Sequence, residues 1–162
     1  MSSHPTINIR LLSGQEEVQA CAAMMATSDP WITLGIEYNQ CLQAFEGPSK
    51  ECYLLLAGEA IAGFVVLQIS GSFKGYIQTL CINSRHRGQG YGTRLLQFCE
   101  ERISAISPNM FICVSSFNTG ALQLYQDFGF KPVGELDNFV KQGYTEILLR
   151  KTKGPINGYH VQ

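Results

Sequence analysis

The stretch Arg85-His86-Arg87-Gly88-Gln89-Gly90-Tyr91-Gly92, followed by Thr93 and Arg94, concentrates residue types that can hold an anion. Upstream, Tyr76 to Ile82 is β-rich. Downstream, Tyr91, Leu95, Cys99, Ile103 and Ile106 recur at helical spacing with Phe98 flanking the same face, so the glycines occupy a strand-to-helix turn. The first N–H groups of a helix lack carbonyl partners within it and can converge on a phosphate, toward which the positive end of the helix dipole also points. Glycines permit close approach and unusual φ, and Arg85, Arg87 and Arg94 add positive charge. A phosphate cradle follows; the plain alternative is a glycine-rich turn with solvated arginines. A P-loop does not fit, because no lysine follows these glycines. Nor does a dinucleotide fingerprint, which needs a glycine where Thr93 stands and an acid about twenty residues on, near Met110.

The elements that must position this turn can be read from periodicity. Ile7 to Leu12 alternates like a strand, Ser13 and Glu16 have the spacing of a capping box, and Val18 to Met25 is helical. Asp29-Pro30 breaks that helix, and Leu34 to Phe45 predicts a weaker one ending at Gly47-Pro48. Cys52 to Ala57, Ile61 to Ile69 and Tyr76 to Ile82, joined by tight connections, predict an antiparallel meander. After the helix that ends at Ser107-Pro108 come a buried strand (Met110 to Val114), a helix (Thr119 to Phe128) and two strands (Phe130 to Leu136, Tyr144 to Lys151). The order is βααβββαβαββ, an α/β (α+β) arrangement in which the turn follows a meander and not the first strand of a parallel sheet. A nicotinamide dinucleotide is therefore not the expected ligand.

The 162 residues, 45% of them hydrophobic, suffice for one domain, taken as 1–153 with a tail at 154–162 expected to be disordered or partner-dependent. Lys+Arg 12 against Asp+Glu 13 gives no general reason for a nucleic-acid or membrane-surface partner. The start, Met1-Ser2-Ser3-His4-Pro5, lacks a signal peptide's apolar run, and no apolar stretch approaches the ~18 residues of a membrane span, so a cytoplasmic protein is expected. Six scattered cysteines, Cys21, Cys41, Cys52, Cys81, Cys99 and Cys113, have neither zinc nor C-x-x-C spacing and predict reduced, structural thiols. No metal is expected.

Arg87-Gly88-Gln89-Gly90-Tyr91-Gly92 also matches the Q/R-x-x-G-x-G/A signature of the GNAT superfamily of N-acetyltransferases, at the family's place between fourth strand and third helix. A second block, Asn118-Thr119-Gly120-Ala121-Leu122-Gln123-Leu124-Tyr125-Gln126-Asp127-Phe128-Gly129-Phe130, resembles its N-x-x-A-x-x-x-Y-x-x-x-G-F segment at every fixed position. The element order agrees from the first strand to Lys151, so the resemblance covers nearly the whole chain. It implies a mixed central sheet, splayed between its fourth and fifth strands, with acetyl-coenzyme A as co-substrate in the gap. Cofactor contacts then fall on Leu80, Cys81 and Ile82, on Arg87 to Thr93, and on Asn118, whose plain alternative is a helix N-cap. Backbone N–H of Leu80 to Ile82 would polarise the thioester carbonyl. Tyr125 matches the family's general acid: a phenol with an ordinary pKa near 10 stays protonated and can donate to the leaving thiolate. Its plain alternative is an aromatic packed between Leu122 and Phe128, while Gly129-Phe130 reads as helix stop and core anchor.

On the acceptor side the resemblance thins. Some relatives place a glutamate on the fourth strand, where this chain has Gln78, Thr79 and Cys81. Ribosomal-protein alanine N-acetyltransferases carry E-V-R where this chain has Cys113-Val114-Ser115, which counts against a protein N-terminus as acceptor. Glu37, Asp29 and Asp137 are candidate bases, with a water chain as substitute, and Trp31 is a candidate apolar wall or plain core residue. The implied activity is acetyl transfer to a primary amine, of a small molecule or a peptide N-terminus, by direct attack in a ternary complex. A homodimer stays open. The alternatives are a catalytically silent acetyl-coenzyme-A-binding sensor or assembly domain of this fold, and an unrelated phosphate-binding protein.

Overall fold

The computed structural model describes residues 3–161. The alternating segment Ile7–Leu11 is β1, paired antiparallel with β2 (Lys50–Ala57); β2 pairs with β3 (Ala60–Gln68), and β3 with β4 (Tyr76–Ile82). β5 (Asn109–Ser115) joins β4 in parallel, and β7 (Thr145–Thr152) lies between β5 and β6 (Lys131–Asp137). The sheet order is β1-β2-β3-β4-β5-β7-β6, the mixed sheet that the resemblance implied.

The sheet opens between β4 and β5, which pair only at Tyr76–Phe111 and Ile77–Ile112, whereas β5 stays with β7 from Asn109–Thr152 to Ser115–Glu146. A bulge in β4 explains the parting. Val66 faces Thr79 and Leu67 faces Ile77, so Gln78 is an extra residue, and a bulge bends and twists the strand that carries it. The Gln78 side chain anchors the bend: its Oε1 accepts from Gln68 Nε2 (3.0 Å) and its Nε2 donates to the Ala44 carbonyl (2.9 Å). At the closed end, Gly75 has φ 93°, and the Asn109 carbonyl and the Ile103 side chain fill the place a Cβ would take. A side chain there would pry the closed end apart.

Ala62 to Leu67 is a continuous buried run because helices cover both faces of the sheet. Val65 and Leu67 pack under α4 (Tyr91–Ser104) and α5 (Thr119–Phe128), with Leu95, Leu96, Cys99 and Ile103 of α4. Phe64 and Val66 pack on the other face under α1 (Gln15–Ala26), α2 (Trp31–Leu34) and α3 (Tyr38–Gln43). Each fully buried Leu or Phe contributes roughly 1.5–3 kcal/mol relative to exposure, so the site rests on two well-filled layers.

Two local expectations are corrected. Ser13 and Glu16 form no capping box. Gly14 precedes α1 without a side-chain cap, and Glu17 accepts the Ser13 N–H (2.7 Å) while its other oxygen pairs with Arg10 (2.6 Å). The Arg10 guanidinium holds the Glu17 carboxyl down at about 2, so the cation on β1 selects which acid closes the turn. The single helix expected over Leu34 to Phe45 is two: Gly35, at φ 68°, ends α2, and a capping box between Glu37 and Gln40 starts α3. Other boundaries differ by a few residues at most, chiefly at frayed ends. Of the tail at 154–162, expected to be disordered or partner-dependent, the described part lies against α4, where the Tyr159 hydroxyl donates to the Ser104 carbonyl (2.6 Å); Lys153, just before it, donates from Nζ to Ser104 Oγ (2.9 Å). No helix among the described residues is long and apolar enough to cross a membrane.

Candidate active site

Past β4, Asn83 Oδ1 accepts the Arg85 N–H (3.0 Å) and starts a single 3₁₀ turn over Ser84–His86. Gly88 (φ 72°) and Gly90 (φ 81°) then bring the chain into α4 through left-handed conformations that suit glycine. The first helical hydrogen bond of α4 runs from Arg94 N–H to Gly90 carbonyl, so the N–H groups of Tyr91, Gly92 and Thr93 have no partner within the helix. Beside them the space a side chain would take at Gly88 and Gly90 is open, with no atom within 4 Å. Gly92 differs: a Cβ there would lie 2.9 Å from Leu124 Cδ2, so this glycine sets the approach of α5 to α4.

These groups open onto a cavity of about 460 Å³. Of the residues assigned cofactor or catalytic roles from the sequence, Leu80, Cys81, Ile82, Arg87, Gly88, Gly90, Tyr91, Gly92, Thr93, Asn118 and Tyr125 line it. Gln89 is exposed in the turn and does not. Arg87 lies over the end of β4, its Nε donating to the Ile82 carbonyl (3.4 Å). His86, Gly120, Ala121 and Leu124 also line the cavity and were missed. Their signal was present: His86 lies inside the glycine motif, and Ala121, Leu124 and Tyr125 share a face of α5 by helical spacing. The buried Nδ1 of His86 has no hydrogen-bond partner. An open cradle of N–H groups, an arginine at its rim and an orphaned ring nitrogen together fit an anionic, phosphate-bearing ligand.

The other wall is the freed edge of β4. Beyond Ile77 its residues keep β3 partners, such as Leu80–Val65 and Cys81–Phe64, but have no strand on the β5 side. Alternate residues there direct N–H and C=O groups into the gap. Tyr125, from α5, is 6% exposed. Burial, and then the nearby Cys81 and Cys99 thiols, push its phenol pKa above the ordinary value, so it stays protonated through the physiological range. Asn118 caps α5 with a long bond, its Oδ1 accepting from Ala121 N–H at 3.4 Å, and Gly129 in the left-handed conformation ends the helix. Asn118 thus serves as the cap of α5 and also lines the cavity.

A second, smaller cavity of about 130 Å³ lies along the gap, and Pro30, Trp31, Leu80 and Tyr125 line both. Trp31 is therefore a shared wall. The three acids proposed from sequence have local structural duties. Asp29 Oδ1 accepts from the Thr33 N–H (3.1 Å) and hydroxyl (2.6 Å), Glu37 caps α3, and Asp137 accepts from the Thr145 hydroxyl (2.8 Å). Of these only Asp29 lines either cavity. The acid in the smaller cavity is Glu146, on β7, which the sequence reading passed over. Its signal was an acid directly before the apolar run Ile147-Leu148-Leu149 of a predicted strand.

In comparisons with solved structures, the chain is similar to an acetyltransferase from Thermus thermophilus (16% identity, 93% of this chain and 99% of that one, TM-score 0.70). It is also similar to the ribosomal-protein-S18-alanine N-acetyltransferase from Escherichia coli (16%, 96% and 100%, TM-score 0.72), and to an aminoglycoside 6'-N-acetyltransferase complexed with coenzyme A (15%, 91% and 98%, TM-score 0.71). At such identities the likeness concerns the fold. Among curated proteins, no sequence matches the chain. The model of the acetyltransferase (GNAT) family, however, matches residues 17–130, a span that holds the glycine turn, α4, α5 and Tyr125; the chain belongs to that family.

Proposed function

We propose that the protein transfers the acetyl group of acetyl-coenzyme A to a primary amine, by direct attack of the amine in a ternary complex, with Tyr125 as general acid. The observation that carries this is the position of Tyr125: a buried, protonated phenol that lines both the cavity at the glycine turn and the smaller cavity beside it. Acetyl-coenzyme A, when bound, supplies an activated thioester and the phosphates that anchor it. The N–H groups of Tyr91, Gly92 and Thr93, the open space at Gly88 and Gly90, and Arg87 hold the pyrophosphate. Leu80, Cys81 and Ile82 offer their free strand edge to the amide-bearing arm, and a backbone N–H of that edge polarises the carbonyl. Tyr125 gives its proton to the leaving sulfur as the bond to the acetyl carbon breaks.

The acceptor enters from the side of Trp31 and the smaller cavity, as a small-molecule amine or a peptide N-terminus. Cys113-Val114-Ser115 in place of E-V-R favours the small molecule. With six unpaired cysteines, a cytoplasmic location belongs to the same proposal. The test has two arms: calorimetric titration with acetyl-coenzyme A, and thiol release on mixing with a panel of alkylamines, arylalkylamines, polyamines, aminoglycosides and short peptides. Binding with acceptor-dependent thiol release is expected. Binding with no release for any amine would reduce the protein to an acetyl-coenzyme-A-binding module, and no binding would overturn the assignment altogether.

A further inference from the structure

We propose that Glu146 is the base of the reaction, receiving the ammonium group of a small apolar monoamine in the smaller cavity and taking its proton; this rests on the acetyl transfer proposed above. Glu146 is 4% exposed and lines the same cavity as Tyr125. Ser115 Oγ, its register partner on β5, donates to Oε1 at 2.6 Å, which fixes the carboxylate and engages only one of its two oxygens. Buried carboxylates are retained where they are partnered or used, and here no lysine, arginine or histidine lines the cavity to pair with it. A cationic partner has to come from outside, and the acceptor is an ammonium ion before it reacts.

The wall contributed by the α2 side and the β6–β7 loop selects the body of that ion. Trp31, Leu34 and Ile36 from the α2 side and Phe139 and Val140 from the β6–β7 loop are apolar, so a hydrocarbon or aromatic substituent fits where a polyamine's further charges do not. Lys141, next in that loop, reaches back to Gly35, with Nζ 2.9 Å from the place a Cβ would take, and sets a positive charge beside the cavity against any second cation.

The titratable groups that share the cavity with Glu146 are the Tyr76 phenol on β4 and the Cys113 thiol on β5, which influence one another, and the Tyr125 phenol on α5; the α2 side and the β6–β7 loop contribute only apolar groups. Burial raises the pKa of all of these and of Glu146, and the Ser115 bond partly opposes this for Glu146. A raised carboxyl is a better proton acceptor near neutrality than an ordinary one.

Glu146 takes one proton from R–NH3+, leaving R–NH2, whose lone pair forms the bond to the acetyl carbon. The carbon–sulfur bond breaks, the sulfur takes the Tyr125 proton, and the tyrosinate recovers a proton from the nitrogen as the amide forms. Glu146 releases its proton to water after the product leaves.

The test compares wild type with Glu146→Gln, which keeps shape and the Ser115 bond, using phenethylamine and isobutylamine against spermidine and kanamycin. Wild type should prefer the two monoamines. Its kcat/KM should rise across one acid limb and level off below the amine pKa. Glu146→Gln should lose roughly a hundredfold in kcat/KM at pH 7, with the deficit shrinking toward pH 10, because only free amine then reacts. Phenethylamine titrated calorimetrically into the coenzyme A complex at pH 7 should bind the variant more weakly. Ser115→Ala, which leaves the carboxylate in place, should shift the acid limb to higher pH and supplies the test if Glu146→Gln does not fold. Acetylation with spermidine or kanamycin preferred, or wild-type profiles in both variants, would overturn the role of Glu146 and leave acetyl transfer standing. No acetylation of any amine would instead remove the reading on which it rests.

Discussion

Gly92 on α4 and Leu124 on α5 meet with no room for a side chain between them: a Cβ on Gly92 would lie 2.9 Å from Leu124 Cδ2. Leu124 in turn lines the larger cavity beside Tyr125. Gly92→Ala gains helix propensity, about 1 kcal/mol, but displaces the end of Leu124. The expected variant is folded, within a few degrees of wild type in Tm by the same offset, with acetyl-coenzyme A affinity lowered severalfold in calorimetry. Unchanged affinity would make Gly92 a packing residue only.

Gly90, at φ 81° with open space in front of it, tests the cradle itself. Gly90→Asp and Gly90→Asn strain the backbone alike, by about 1 kcal/mol, yet only the aspartate sets a negative charge where the proposed function puts the phosphate. Gly90→Asp should lower acetyl-coenzyme A affinity at least about tenfold relative to Gly90→Asn, with similar melting temperatures. Equal affinities would move the phosphate site elsewhere.

Glu146 also shapes stability. Burial raises its folded pKa above the unfolded value of 4.5, so the native state binds more protons between those two values than the unfolded chain does. Stability therefore falls as pH rises through that window, with no cost below 4.5 and the full cost above the folded pKa. Glu146→Gln, which cannot ionise, should be more stable than wild type at pH 8, by about 2–4 °C per kcal/mol recovered, and should lose this advantage toward pH 4. Urea denaturation at both pH values reads the difference directly. A variant less stable than wild type at pH 8 would show that the carboxylate is net favourable to the fold.

Residues whose roles depend on near neighbours in sequence were legible in advance. The glycine turn, the Asn118 to Phe130 block and the meander each depend on spacing within a dozen or so residues, and all of these hold in the structure. Gly35 and the Glu37–Gln40 box gave a local signal too, but the apolar spacing from Leu34 to Phe45 outweighed it. The bulge at Gln78 has no local signature, since it exists only in the pairing of β4 with β3. Glu146 acquires its meaning only when β7 inserts beside β5 and sets it against Ser115, far away in sequence. The proposed cofactor side could thus be read from motifs, while the proposed acceptor side is assembled by strand register.

The thiols offer a check on burial across both core layers. Desolvation pushes Cys21, Cys81 and Cys99 up to about 12, and Cys52 and Cys113 upward, from an ordinary 9.0. At pH 8 little thiolate forms at the first three, so alkylation of the native protein should label half-buried Cys52 and Cys113 first and Cys21, Cys81 and Cys99 only over hours. Denaturation should expose all six at once. Rapid native labelling of Cys99 would contradict the packing of α4 on the sheet.

Tyr125→Phe separates chemistry from packing. The ring, 6.1 Å from that of Phe130 in an edge-on contact, stays in place, and only the hydroxyl goes. If the phenol protonates the sulfur as the carbon–sulfur bond breaks, the interaction exists in the transition state alone. Turnover with a good acceptor should then fall roughly ten- to a thousandfold with little change in acetyl-coenzyme A affinity. The pKa of the lost proton donor lies above the ordinary tyrosine range, so wild-type turnover should show no alkaline loss attributable to Tyr125 below about pH 10. A thioester whose thiol is a better leaving group should narrow the gap between variant and wild type, since a more stable thiolate needs the proton less. Equal turnover of variant and wild type, in a protein with wild-type Tm, would show that water protonates the sulfur and that Tyr125 serves to pack α5 against β4.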